Sequence, residues 1–287
     1  TKDALVYATR GKILGDRGQI EPARADFEKS LQLEQTERAA GWLADLLLVE
    51  GEERPEESPM ADVEEVSRYL ASMQHGLDRM AGGFPLSLRL IREMHGILLE
   101  SGRGSNQNPG EFRTSQNWIG GTRPGNAMYV PPPPERLMEC LDNLEKFLHL
   151  EREDLPVLVQ AGMAHVQFES IHPFLDGNGR IGRLLITLFL CVRGVLADPL
   201  LYLSLYMKQN RAQYYELLQK VRTEGAWEEW LRFFLAGVAD TANDVVSTTR
   251  RIMVLRETDR KRVEKLGRAG VNGLRLFDLL GRFPILS

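Results

Sequence analysis

An all-α fold is what this sequence predicts, and three observations carry it. Apolar residues recur at the three-to-four spacing of a helix in one run after another. The breaks between runs carry helix punctuation, such as the acidic, proline-containing stretch Gly51–Pro59 and the four prolines Pro131–Pro134. The one region written in extended residues lies between Asn117 and Pro134, and a lone two-stranded hairpin is marginal in water. The expected architecture is a helical bundle with a small β-hairpin flap.

Taken in chain order, residues 1–35 read as two short helices around a glycine turn, and 36–50 as an apolar helix with Trp42, Leu43, Leu46 and Leu47. The spacing of Tyr7, Gly11, Leu14, Gly18, Ala23, Phe27 and Ser30 resembles one tetratricopeptide unit, which cannot bury its own apolar face. After the linker, Asp62 reads as an N-cap with Glu65 completing a capping box, for a helix reaching Met80. Further helices are expected near 86–101, 134–149, 155–169, 180–193, 208–223 and 226–245. Asn117–Gly121 and Met128–Val130 read as two extended segments around the turn Thr122–Asn126. Arg250–Arg268 reads as a basic helix, and Gly270–Phe283 resembles the opening of a winged helix-turn-helix. The expected domains are 1–55, a tetratricopeptide-like region, then 56–245, the main domain, and 246–287, the basic tail.

With 287 residues, 43% of them hydrophobic and 26% charged, the chain can bury a substantial core. A net charge of -4 gives no reason to expect nucleic acid as a main partner, and the chain stops before a recognition helix could form. No apolar stretch is long enough for a bilayer, and Leu184–Val192 is flanked by Arg183 and Arg193. Cys140 and Cys191 sit in helical runs and read as buried thiols rather than a disulfide, in keeping with a reducing cytoplasm. The start, Thr-Lys-Asp-Ala, does not read as a signal peptide; without an initiator methionine it reads as a fragment.

Chemistry concentrates in His172–Arg183, His-Pro-Phe-Leu-Asp-Gly-Asn-Gly-Arg-Ile-Gly-Arg. Gly177 and Gly179 permit a tight turn with its N–H groups open to an anion. The apolar run that follows predicts a helix whose N-terminus points at the same place. Asp176 can hold a divalent cation that bridges phosphates. Arg180 and Arg183, three apart, share a helix face and can fork onto phosphate oxygens. His172 is the group able to take a proton near neutral pH.

The stretch resembles the Fic family signature, His-any-Phe-any-Asp/Glu-Gly-Asn-Gly-Arg-any-any-Arg, with every specified position filled. The resemblance extends over about 60–240 through Pro109–Arg113, the flap and Asn210–Tyr215. It implies an enzyme, a protein adenylyltransferase that moves AMP from ATP to a Ser, Thr or Tyr hydroxyl of a target protein. His172 would be the general base and Asp176 the Mg²⁺ ligand. Phe174, Gly177, Asn178 and Gly179 would belong to the nucleotide site, the last three cradling the α- and β-phosphates. Arg180 would steady the phosphate tail and Arg183 would bind the γ-phosphate. Tyr214 or Tyr215 lines the adenine pocket or packs in the core; both readings stand. Asn117, Trp118, Ile119 and Val130 would form the flap that aligns the target by edge pairing.

Many members of the family also carry an inhibitory glutamate before the core. Glu34 and Glu37 are the candidates here, and each lacks part of the pattern. Other members transfer or remove a different phosphate-linked group. A nucleotide-sensing protein that recruits partners is the alternative from another class. Self-association into a homodimer is a further open reading.

Overall fold

The computed structural model describes residues 59–265, apart from 103 and 152, together with 273, 274 and 277. Among the described residues are eight α-helices: α1 (Pro59–Ala81), α2 (Leu88–Leu98), α3 (Pro134–Leu148), α4 (Val157–Ile171), α5 (Asn178–Val192), α6 (Leu203–Gln209), α7 (Arg211–Glu224) and α8 (Trp227–Glu264). The tetratricopeptide-like region, Glu34 and Glu37 lie outside the described residues, as does most of Gly270–Phe283.

The main unit runs to Ala242 and is organised around α5. Beyond Arg183 this helix is almost wholly apolar, and nearly all of Asn178–Leu190 is buried, which is the pattern of a central helix. It packs against α4, α1 and α2. Helix α4 is likewise buried on most faces. Gly162 brings α4 close to α8: a Cβ there would stand 2.9 Å from the Phe234 ring, and the Trp230 indole N–H donates to the Gly162 carbonyl at 3.0 Å. Helix α2 is capped by Ser87, whose hydroxyl accepts from the Leu90 N–H.

Three expectations change. Helix α1 begins at Pro59, so Asp62 lies inside it and not at its cap, and the Glu65 side chain reaches Arg180. The flap is not a two-stranded hairpin. It closes with one antiparallel bridge, Ile119 to Tyr129, around a short 3₁₀ turn at Pro124–Asn126. Only one rung forms because Gly120 and Gly121 take positive φ (+69 and +71) straight after Ile119 and turn the chain away. The separate helices expected at 226–245 and from 250 onward are joined in one helix, α8, as far as Glu264.

The second unit holds the part of α8 beyond Ala242 and the described residues near 273–277. Within it, i to i+3 and i to i+4 pairs such as Lys261–Glu257 and Arg262–Asp259 line the helix surface, and the Arg256 guanidinium lies over the Phe277 ring. No helix among the described residues is long and apolar enough to cross a membrane.

Candidate active site

Helix α4 delivers His172 and then stops. Proline at 173 has no N–H and disfavours helical geometry in the residue before it. His172 leaves the helix in the left-handed region, φ 48 and ψ 62, with its own N–H still bonded to the Phe168 carbonyl at 2.9 Å. A side-chain-bearing residue in that region is uncommon and costs about 1 kcal/mol. The ring is part-buried. Its Nδ1 is buried and makes no hydrogen bond, while the nearby Glu169 backbone offsets some of the cost of protonation. Burial, with the charges of Arg222 and Arg113, pushes the pKa down to about 4. At neutral pH the imidazole is therefore neutral and can accept a proton.

The loop after it is pinned from inside. Phe174 is fully buried and stacks on His95, ring centroids 3.7 Å apart. The Asn178 side chain grips the Phe174 backbone at both ends: Oδ1 accepts from its N–H and Nδ2 donates to its carbonyl, each at 2.9 Å. Its buried side chain therefore holds the loop in shape. Gly177 has φ +75 and starts α5. The turn needs a glycine at this one place, because Gly179 already lies within the first turn of the helix. The start of a helix carries the positive end of its dipole, so an anion is favoured beside this turn.

Asp176 is oriented by the Gly177 N–H, which donates to Oδ1 at 2.5 Å, and by Arg180 at 3.4 Å. Its other oxygen lies against Gly104, where a Cβ would come within 2.9 Å of Oδ2. The carboxylate is 23% exposed. Arg180 is only 1% exposed and pairs with Glu65 at 2.8 Å as well as with Asp176. It therefore clasps α1 to the start of α5 rather than standing open to solvent. Arg183 is 4% exposed and borders a crevice with Tyr69, Met73, Thr187 and Tyr202, whose volume of about 20 Å³ suits a single water. The two arginines share a helix turn but face different surroundings.

Tyr214 is a core residue. It is buried, its hydroxyl bonds to His165 Nε2 at 2.9 Å, and it packs beside Trp230, so it has no face to offer a base. Tyr215 is part-buried beside Arg211. Of the flap residues, Trp118 and Val130 are exposed and Ile119 makes the bridge. Asn117 faces inward instead: its Nδ2 donates to the carbonyls of His172 (3.2 Å) and Phe174 (3.1 Å).

Four residues near the site escaped sequence reasoning. His95 is fully buried; its Nδ1 accepts from the Gly110 N–H at 2.8 Å, so Nε2 carries the proton and donates to the Asp176 carbonyl at 3.0 Å. Arg113 donates from Nε to the His172 carbonyl at 3.0 Å and from Nη2 to the Ile171 and Pro132 carbonyls. Arg222 donates to the Glu169 carbonyl and the Ser170 hydroxyl and lies over the Tyr129 ring. The Tyr129 hydroxyl donates to the Ser170 carbonyl at 3.0 Å. Arg113 stood in the quoted Pro109–Arg113 stretch without a role; no local pattern marks the other three.

A divalent cation fits this donor set in one form. Among the described residues no group of three or more metal-ligating side chains converges. One part-exposed carboxylate beside an anion-binding helix start suits magnesium, which takes few protein ligands and completes its shell with phosphate oxygens and water.

With that geometry in place, residues 85–190 match the Fic/DOC family. The chain is 35% identical over 149 residues to the protein adenylyltransferase Fic of Drosophila grimshawi, covering 52% of this chain and 28% of that protein. It is 37% identical over 150 residues to the protein of the same name from Aedes aegypti, covering 52% and 27%. The matched stretch thus spans under a third of these relatives' length. A Fic family protein from Desulfovibrio desulfuricans G20 superposes with a TM-score of 0.56 at 23% identity, over 86% of this chain and 73% of that one. Fic-1 of C. elegans gives 0.55 at 18% identity, over 88% and 89%. These likenesses establish the fold of the Fic domain.

Proposed function

We propose that this chain is a protein adenylyltransferase: it transfers AMP from ATP to a hydroxyl side chain of a target protein. The observation that carries the reading is the pairing of a neutral, part-buried imidazole at the end of α4 with the anion-binding start of α5 one short loop away. The relatives' names point the same way.

His172 takes the proton of the attacking hydroxyl as its oxygen bonds to the α-phosphorus. The bond from that phosphorus to the bridging oxygen breaks, and pyrophosphate leaves. Gly177, Gly179 and the first N–H groups of α5 hold the phosphates, with Arg183 nearest their far end. Positioning and neutralisation of oxygen charge supply most of the acceleration for such a step. Asp176 would hold Mg²⁺, which supplies charge neutralisation across the phosphates when bound. The exposed flap residues Trp118 and Val130 would meet the target segment. Tyr215 remains the candidate for the adenine side. Two free, half-buried cysteines suit a reducing compartment such as the cytoplasm.

Incubation with ATP labelled at the α-phosphate tests the reading. Wild-type chain should place label on itself or on a lysate protein. His172→Ala should lose transfer by a thousandfold or more while binding ATP within about twofold of wild type. Near-wild-type transfer by that variant removes His172 as base; protein labelled by ATP carrying the label at the γ-phosphate, in a parallel incubation, and not by the α-labelled ATP removes AMP transfer.

A further inference from the structure

We infer that Arg113, together with Asn117, positions the His172 imidazole by capturing the backbone carbonyls on either side of it. The inference rests on the reading of His172 as the base and deepens it.

The need arises from the way α4 ends. A helix leaves its last four carbonyls without intrahelical donors. The usual remedy is a glycine in the left-handed region, followed by a residue whose N–H bonds back into the last turn. Here the left-handed residue is a histidine and the next is Pro173, which has no N–H to give. Side chains must supply the donors, and the accounting closes. The Glu169 carbonyl takes Arg222, and the Ser170 carbonyl takes the Tyr129 hydroxyl. The Ile171 carbonyl takes Arg113 Nη2, and the His172 carbonyl takes both Arg113 Nε and Asn117 Nδ2. The Pro173 carbonyl takes the Arg113 backbone N–H at 2.9 Å, and the Phe174 carbonyl takes Asn117 and Asn178.

Arg113 is the hub of this set. It is 3% exposed, and its planar fork reaches two consecutive carbonyls of the base turn. The same guanidinium bonds the Ser115 and Pro132 carbonyls at the two roots of the flap. One side chain thus ties the base to the segment that faces the target. A lysine could carry the charge but not the fork, having a single nitrogen on a flexible stem. The strained backbone at His172 makes the capture matter, since without it the residue would relax toward a commoner conformation and swing the ring. A shift of about 1 Å in a reacting group costs roughly a hundredfold in rate.

Arg113→Lys and Asn117→Asp test this in the full chain. The aspartate has the shape of asparagine but turns an acceptor toward the His172 and Phe174 carbonyls. The first readout needs no activity: nitrogen NMR of the histidine rings in ¹⁵N-histidine-labelled protein, with the His172 signals identified by their loss in His172→Gln. The second is the kinetic split. Both variants should move the His172 ring resonances, lower kcat ten- to a hundredfold and leave the directly measured ATP Kd within twofold. Should Arg113→Lys fail to fold, the half-buried Asn117→Asp carries the test. Ring resonances unchanged from wild type in the folded variants would overturn the inference, whether or not AMP is transferred. Displaced resonances in a chain whose wild type transfers nothing would uphold the positioning role while sinking the transferase reading.

Discussion

Mild acid should weaken this fold through His165. The ring is 1% exposed, its Nδ1 lies 3.1 Å from the Gly182 carbonyl and its Nε2 accepts from the Tyr214 hydroxyl. Burial pushes its pKa from 6.5 down to about 3. The folded chain therefore leaves this group neutral at pH values where the unfolded chain protonates it. The stability it contributes is fully present above about pH 6.5, falls as pH drops, and stops falling near pH 3. Each pH unit within that window costs about 1.4 kcal/mol, so pH 5 costs about 2 kcal/mol relative to neutral. That is a substantial part of the roughly 5–15 kcal/mol holding a typical domain together. Urea unfolding at pH 7, 6 and 5 of wild type and His165→Gln measures it. The variant should be weaker at pH 7 yet lose about 2 kcal/mol less than wild type on going to pH 5. Equal pH slopes in the two proteins would refute the reasoning.

The pH–rate profile should separate the base from an ordinary histidine. With the His172 pKa near 4, kcat/KM should change less than about twofold between pH 7 and 5.5 and fall about tenfold per unit below 4. An acid limb centred near 6.5 in folded protein would contradict that environment. Gly104→Ala would crowd Asp176 Oδ2 and add strain at φ +84, so the Mg²⁺ needed for half-maximal transfer should rise several-fold. An unchanged magnesium titration would count against Asp176 as the ligand. Gly182→Ala would drive a methyl into Glu169 Oε1, and a thermal melt should show about 1–3 kcal/mol of lost stability.

The sequence reveals the elements whose positions demand special residue types. Gly177 must turn with positive φ, Pro173 must end α4, and the apolar run behind Arg183 must be buried. Each leaves a local mark. The supporting residues leave none. His95 touches Asp176 across 81 positions and Arg113 touches His172 across 59, so no spacing rule connects them. In sequence His95 looks like one more residue on the buried face of α2, next to Met94. Glu65 misleads for a related reason: three residues past an aspartate it mimics a capping box, whereas its partner Arg180 is 115 positions away. Helix α6 is too short to show a period. Helix α8 reads as two because its buried stripe of Trp230, Phe233, Phe234 and Gly237 does not continue along its length.

The left-handed backbone at His172 sets chemistry and thermal robustness against each other. Glycine tolerates φ 48 without penalty and asparagine nearly so, while histidine gives up about 1 kcal/mol there. A variant library sorted only for heat resistance should therefore drift toward His172→Gly or His172→Asn and silence itself. Sorting for labelled product instead should hold the imidazole in place despite its conformational cost.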